Sequence, residues 1–275
     1  MSAGDAAVSA GDAAVSGALS FGHVVRAEWI KFRSVRSSWM TLAVTVLLVV
    51  GLGALFTAAR ASRWPPRDPG ELLTFDPTRI SLAGVFLAQL AFGVLGVLVV
   101  TGEYASGTIR ATFTAVPRRL PVYVAKSLVF AVLSLAALIP TTFAAFEVGQ
   151  QLLSSKHIET TLSAPGVTRA VVGAALYLTV VGLFGVALGW LMRHTAGAIS
   201  TLFGVLLVLP ILVHVLPSPW SENVDKWLPS TAGQAIFGVR TDLSAFGPWR
   251  GFGLMCAYVT ALLVLGAVVV SRRDA

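Results

Sequence analysis

The chain has 275 residues, of which 56% are hydrophobic and only 12% are charged, and its mean hydropathy is +0.80. A soluble domain carries about a quarter charged residues, so this composition excludes a soluble globular protein. It also excludes a disordered chain, because disorder requires low hydrophobicity. Cys256 is the only cysteine, which rules out a disulfide framework. The composition therefore predicts a polytopic membrane protein with most of its charges in loops.

The N-terminal region divides into a tail and an amphipathic segment. Residues 2–8 (SAGDAAV) are repeated directly as residues 9–15. Small residues without bulky apolar anchors cannot offset the entropy of ordering, so residues 1–20 are predicted to be a disordered tail. Residues 21–38 place apolar and basic side chains on opposite helical faces, which predicts an interfacial helix. Glu28 and Arg36 interrupt the apolar face, and simple basic sequence flanking the first span is the alternative.

Six apolar stretches are long enough to cross a bilayer core of about 30 Å as helices. Because lipid satisfies no backbone hydrogen bonds, helices are the only reasonable structure for them. Residues 21–275 therefore form an all-α membrane domain with six transmembrane helices, at about residues 39–59, 80–100, 122–148, 170–192, 196–216 and 251–270. Gly182, Gly185 and Gly189 line one face of the fourth stretch. We expect this face to pack inside the bundle rather than against another subunit.

The distribution of lysine and arginine gives the orientation. With both termini cytoplasmic, eleven of these residues lie inside and nine outside, and the inner ones cluster at the span ends. The first outer loop opposes this orientation with four arginines. Four lysines against sixteen arginines are typical of a high-GC bacterial genome, so a bacterial cytoplasmic membrane is expected. We attribute the net charge of +7 to contacts of basic residues with anionic membrane lipids and not to nucleic-acid binding.

The inner loop at residues 101–121 (TGEYASGTIRATFTAVPRRLP) carries the most functional information. Residues Tyr104 to Ala115 can form one short helix, which Pro117 would stop. A short helix that projects into the cytoplasm between two spans is suited to bind a soluble partner. An ordinary charged hairpin is the alternative. On the other side of the membrane, residues 217–250 are too apolar for a solvated loop and are predicted to form short helices that dip back into the interface.

Several segments resemble ABC-2-type transporter permeases. The inner loop does so at residues 102–104 (GEY), 107–108 (GT) and 116–119 (VPRR). Residues 28–34 (EWIKFRS) resemble the connecting helix of that family, and residues 227–235 (WLPSTAGQA) resemble a stretch before its last span. The resemblance extends over residues 20–273. It implies the ABC-2 permease fold, in which two six-span subunits pair as a homo- or heterodimer and separate cytoplasmic ATPases dock on the loop to drive export.

The resemblance also implies site residues. The candidates for coupling to the ATPase are Glu103, Tyr104, Gly107, Thr108, Arg110 and Pro117, and those of the interfacial helix are Trp29, Lys31, Phe32 and Arg33. Glu103 can pair with a neighbouring arginine or reach the ATPase, and a carboxylate at a helix N-terminus is an equal alternative. The sequence holds no G-x-x-x-x-G-K-[ST] phosphate loop. We therefore expect no enzyme activity and no cofactor on this chain, with ATP and magnesium on the partner ATPase.

Glu147 is the clearest acid within an apolar stretch and is a candidate intramembrane polar site. Because it lies near the end of the third span, it can also simply reach water. Two other functions stay open: an ion-coupled secondary transporter that uses Glu147, and a non-transporting membrane anchor that recruits a partner through residues 101–121. No histidine or cysteine pair has metal-ligand spacing, so no metal site is expected.

Overall fold

The computed structural model describes residues 21–34, 36–116, 119–218, 220–239 and 246–272. These residues form helices and turns, with no strand among them. Six helices are long and apolar enough to cross a membrane, and we number them spans 1 to 6: Trp39–Ser62, Val85–Ala105, Arg119–Ser154, Val167–Met192, Thr195–His214 and Pro248–Arg272. The predicted all-α fold with six spans is confirmed. The repeat tail at residues 1–20 and Pro117 lie outside the described residues.

Two spans differ from their predicted bounds by five or six residues at one end or both, and the other four by at most three. Span 2 begins at Val85 and not near residue 80, because Pro77–Ser81 forms a separate short helix. The Asp76 side chain caps that helix by accepting hydrogen bonds from the backbone N–H groups of Thr78 and Arg79. Span 3 is longer than predicted, with 36 residues from Arg119 to Ser154. Its polar ends continue the helix beyond the apolar stretch that hydropathy detects.

Span 4 lies at the centre of the bundle, where 78% of its apolar window is buried, against 22% for each of spans 1, 5 and 6. It packs most closely on span 2 through facing glycines. A Cβ atom added at Gly185 would lie 2.1 Å from the carbonyl oxygen of Gly93, and one at Gly96 would lie 2.0 Å from that of Gly182. The glycine face of span 4 therefore packs inside the bundle, as predicted, and lets two backbones meet.

Spans 1 and 5 each contain a π-helical turn, at Leu48–Leu52 and Gly204–Val208. Both spans also carry large apolar side chains on their outer faces, such as Leu47 and Leu55 in span 1 and Ile211 and Leu212 in span 5. No described element covers these outer faces, so lipid or another subunit is available to contact them.

The N-terminal helix (Phe21–Ser34) and the loop helix (Thr108–Ala115) lie at the same end of the bundle. The N-terminal helix packs Val24 against Val122 and Ala125 of span 3. We refer to this end as the loop-helix end. It also contains the end of span 2 and the beginning of span 3, and it is the end assigned to the cytoplasm by the sequence.

Short helices at the opposite end cover the bundle. The segment after span 5 forms the helices Trp220–Asp225 and Pro229–Gln234 and a 3₁₀ turn, Ala235–Phe237, which confirms the short helices predicted there, whereas their place in the membrane interface stays a prediction. Ile236 is fully buried. The guanidinium of Arg169 in span 4 donates hydrogen bonds to the carbonyls of Ile236 and Gly238, at 2.7 and 3.0 Å. This segment therefore returns into the bundle and is anchored to its central helix.

Candidate functional site at the loop-helix end

The loop helix is separated from span 2 by a sharp turn at Gly107. Span 2 continues to Ala105, and Gly107 then adopts a φ of +72°, in the left-handed region that glycine enters without steric cost. The predicted single helix from Tyr104 to Ala115 is therefore wrong at its start, because Tyr104 belongs to the last turn of span 2. The turn is closed by a hydrogen bond of 2.9 Å between the hydroxyls of Ser106 and Thr108.

The loop helix has one buried and one exposed side. Ile109 is buried, whereas Thr108, Arg110, Ala111 and Thr114 are exposed. The helix thus rests on the bundle through its apolar side and presents small residues and one guanidinium to the outside. Small side chains leave the backbone of this face accessible to a partner.

Four charged side chains meet beneath the loop helix, and we call Glu28, Lys31, Glu103 and Lys126 the charge cluster. The Lys126 ammonium donates to Glu28 Oε2 at 2.5 Å and to Glu103 Oε1 at 2.8 Å. Lys31 donates to Glu28 Oε1 at 2.8 Å and to Glu103 Oε1 at 3.2 Å. Two carboxylates and two ammoniums therefore balance each other.

Burial makes the charge cluster energetically demanding. The side chains of Lys126 and Glu28 are only 3% and 4% exposed, whereas Lys31 is 37% exposed. Burial by itself would raise the pKa of Glu28, but the ammonium groups of Lys126 and Lys31 outweigh it and hold this pKa below its ordinary value. Burial would lower the pKa of Lys31, but Glu28 and Glu103 raise it. Both groups therefore stay charged at neutral pH.

The charge cluster joins four elements. Glu28 and Lys31 come from the N-terminal helix, Glu103 from span 2 and Lys126 from span 3. The Lys31 ammonium also donates to the Thr112 hydroxyl of the loop helix, at 3.2 Å. One hydrogen bond therefore connects the loop helix to Lys31, and the ion pairs of Lys31 and Lys126 connect the N-terminal helix to both spans.

The structure corrects the prediction for Glu103. Its partners are lysines and not an arginine, and it lies in the last turn of span 2, so the alternative of a carboxylate at a helix N-terminus is wrong. Sequence reasoning missed Lys126 and Glu28 as site residues. The available signals were the acid that interrupts the apolar face of residues 21–38 and the lysine within an otherwise apolar helix.

An aromatic stack forms a second connection from the same junction. The Tyr104 ring meets Trp190 of span 4 edge-on, with centroids 6.0 Å apart, and Trp190 lies 5.1 Å from Tyr123 of span 3. The Tyr123 hydroxyl donates to the Leu263 carbonyl of span 6 at 2.7 Å. The Arg193 guanidinium lies over the Tyr104 ring, 5.4 Å from its centroid. Tyr104 thus connects the loop junction with spans 3, 4 and 6.

The remaining predicted site residues are not brought into this arrangement. Trp29 points outward from the N-terminal helix and is 45% exposed. The Phe32 and Arg33 side chains, like Pro117, lie outside the described part of the chain. Glu147 is exposed on span 3, about two turns before its end, and no described residue forms an ion pair with it. Its role as a polar site stays a prediction.

A search for metal-ligand geometry gives no candidate in the described residues, where no group of three or more His, Cys, Asp or Glu side chains converges. The charge cluster contains only two acids, and each is already bound by lysines. The contacts that the described residues make at this end are ion pairs, hydrogen bonds and aromatic packing.

Comparison with known proteins assigns the family. The family model described as ABC-2 family transporter protein matches residues 24–210, which is more than half of the chain. A search of curated proteins gave no match. The matched region contains most of the N-terminal helix, spans 1 to 4, most of span 5, the loop helix and the whole charge cluster. The chain therefore belongs to the ABC-2 transporter family and is a multi-pass membrane protein of the ABC permease type.

Proposed function

We propose that this chain is the permease subunit of an ATP-driven exporter in the bacterial cytoplasmic membrane, with both termini cytoplasmic and a separate ATPase bound to the loop helix. Family membership supports the permease role. The observation that carries the docking proposal is the exposed face of the loop helix, whose Thr112 hydroxyl accepts a hydrogen bond from Lys31 of the charge cluster. A surface that binds a moving partner must be accessible and connected to what it moves, and this one is both.

In this proposal, closure of the ATPase subunits displaces the loop helix. Breaking a buried ion pair costs about 3–5 kcal/mol, so the elements joined by the charge cluster move together more readily than they separate. The N-terminal helix and spans 2 and 3 would shift as one group. The Tyr104–Trp190–Tyr123 stack would pass the displacement to spans 4 and 6.

The proposed assembly contains two permease subunits, as a homo- or heterodimer. The outer faces of spans 1 and 5 are apolar, and they are exposed within the described part of the chain. A second permease subunit would contact part of this surface, and membrane lipids would contact the rest. ATP and magnesium would bind to the ATPase subunits, and this chain would supply the docking surface and the translocation path.

Co-purification tests the docking surface. The detergent-solubilised permease, co-expressed with ATPases encoded by adjacent genes, should retain one of them, and Arg110→Glu should abolish that retention. Arg110 is exposed, so the substitution should leave the melting temperature unchanged. Lys156→Glu is the matched control, since Lys156 is an exposed cation at the opposite end. Retention that survives both Arg110→Glu and Ala111→Arg, or no retained ATPase in the unmodified protein, would refute the proposal.

A further inference from the structure

A cavity of about 570 Å³ lies at the loop-helix end, between the N-terminal helix and spans 1, 2 and 3. One part of its wall is apolar and is formed by Leu95, Val99 and Phe130. The charge cluster forms another part of the wall. This volume is typical of a small-molecule site, which combines an apolar lining with a few polar groups that orient the ligand.

One polar atom of the charge cluster is unsatisfied. Glu103 lines the cavity, and its Oε1 accepts both lysines, whereas its Oε2 is buried and has no hydrogen-bond partner among the described residues. A buried acceptor without a partner costs about 1–3 kcal/mol, and more when it is charged. In the geometry shown this oxygen is closed to the cavity, but the Glu103 side chain as a whole is 15% exposed, so a hydroxyl in the cavity reaches the carboxylate once it turns towards the cavity, and that hydrogen bond would remove the cost.

The balance of charge specifies the kind of donor. The two carboxylates of the cluster are already matched by two ammoniums. A ligand ammonium would be a third cation beside Lys31 and Lys126, and a ligand carboxylate or phosphate would face Glu103. A neutral hydroxyl donates to the carboxylate without disturbing this balance.

We propose that this cavity binds a single-chain amphiphile with a neutral hydroxyl headgroup, its chain against the apolar wall and its hydroxyl on Glu103. Binding needs only this chain. That such an amphiphile is exported is a further step, which rests on the proposed permease function.

The experiment uses the full chain in phosphatidylcholine nanodiscs, because the headgroup of this lipid has no hydrogen-bond donor and alkyl glycoside detergents would compete. Four probes share one decyl chain: 1-decanol, decyl methyl ether, decylamine and undecanoate. Equilibrium dialysis measures saturable binding after subtraction of partitioning into empty nanodiscs. No ATPase is present, so failure of binding is distinguishable from failure of the proposed export function.

We expect 1-decanol to bind saturably and the ether, amine and acid to bind at least about tenfold more weakly, the loss that corresponds to one hydrogen bond to a charged group. Glu103→Gln should weaken 1-decanol binding. Val99→Phe should fill the cavity and abolish binding while leaving the charge cluster intact, whereas Val132→Phe, at a 53% exposed position of span 3, should have no effect.

The proposal is overturned if 1-decanol shows no saturable binding, if the ether binds equally well, or if Val99→Phe leaves binding unchanged. Phosphatidylglycerol in the nanodisc provides hydroxyls on a lipid headgroup. If it displaces 1-decanol, the site takes a lipid and the assignment to a free amphiphile is wrong.

Discussion

Replacing Lys126 with methionine removes one cation from the balanced charge cluster. Lys126 is 3% exposed and contacts Glu28 at 2.5 Å and Glu103 at 2.8 Å, so its loss leaves two carboxylates beside Lys31 alone. Breaking a buried pair in this way costs about 3–5 kcal/mol. Because Lys31 still contacts both carboxylates, at 2.8 and 3.2 Å, we expect the free energy of unfolding to fall by about 3 kcal/mol, the lower end of that range.

The double variant Glu28→Gln/Lys126→Met distinguishes destabilisation by uncompensated charge from destabilisation by altered packing. It leaves Glu103 paired with Lys31, so the remaining cluster is neutral. We expect its cost to be only about 1 kcal/mol, the usual net value of a lost hydrogen bond. Lys31→Met also leaves two carboxylates beside one lysine, but Lys31 is 37% exposed and water replaces part of its contacts, so we expect a smaller loss than in Lys126→Met.

Titration with sodium dodecyl sulfate in mixed micelles gives the free energy of unfolding for each variant. Lys156→Met, at an exposed position, serves as the control and should match the unmodified protein. The stimulated ATPase rate, measured with the captured partner, should fall in the Lys126→Met variant if the charge cluster transmits motion. A double variant as unstable as Lys126→Met alone would refute the argument, because uncompensated charge would then not be the cause.

Three further predictions address packing, the turn and pH. Gly185→Ala should destabilise the protein by about 1–3 kcal/mol in the same titration, because the new Cβ would lie 2.1 Å from a backbone oxygen of span 2. The control Gly253→Ala should not destabilise the protein, because no atom lies within 4 Å of its new Cβ. Gly107→Ala should lower the free energy of unfolding by about 1–2 kcal/mol because alanine disfavours the φ of +72°, since no atom lies within 4 Å of the new Cβ. Gly107→Asn should cost less, because asparagine tolerates this backbone conformation better. Equal costs for the two variants would contradict this explanation. The pKa of Glu28 is lowered, so the contribution of this carboxylate to stability is complete above its ordinary pKa of 4.5 and is lost as the pH falls below that value. The melting temperature should therefore drop below pH 4.5 in the unmodified protein and drop less in Glu28→Gln. Lys31 has a raised pKa, so its contribution to stability is complete below pH 10.5 and is lost only at higher pH. A loss of stability near pH 8 that disappears in Lys31→Met would contradict this.

Much of the fold could be predicted from local features of the sequence. Hydropathy located six spans because each is a continuous apolar stretch, and the glycines of span 4 indicated a close helix contact. The motifs of residues 102–119 indicated the family that the comparison then assigned. The helix bounds were less accurate, because the Asp76 cap and the left-handed Gly107 depend on local geometry that hydropathy does not register.

Only the tertiary structure decided which charges meet. Glu28 and Lys126 are 98 positions apart, and Lys31 and Glu103 are 72 apart, so no local pattern links them. In sequence, Glu28 is an interruption of an apolar face and Lys126 an isolated charge in a span. The packing of the N-terminal helix against span 3 makes both necessary, because a charge buried away from water is stable only beside its opposite. The sequence by itself determined that this chain spans a membrane and which family it belongs to, whereas the long-range pairing of its few buried charges determined how the loop helix is connected to the spans.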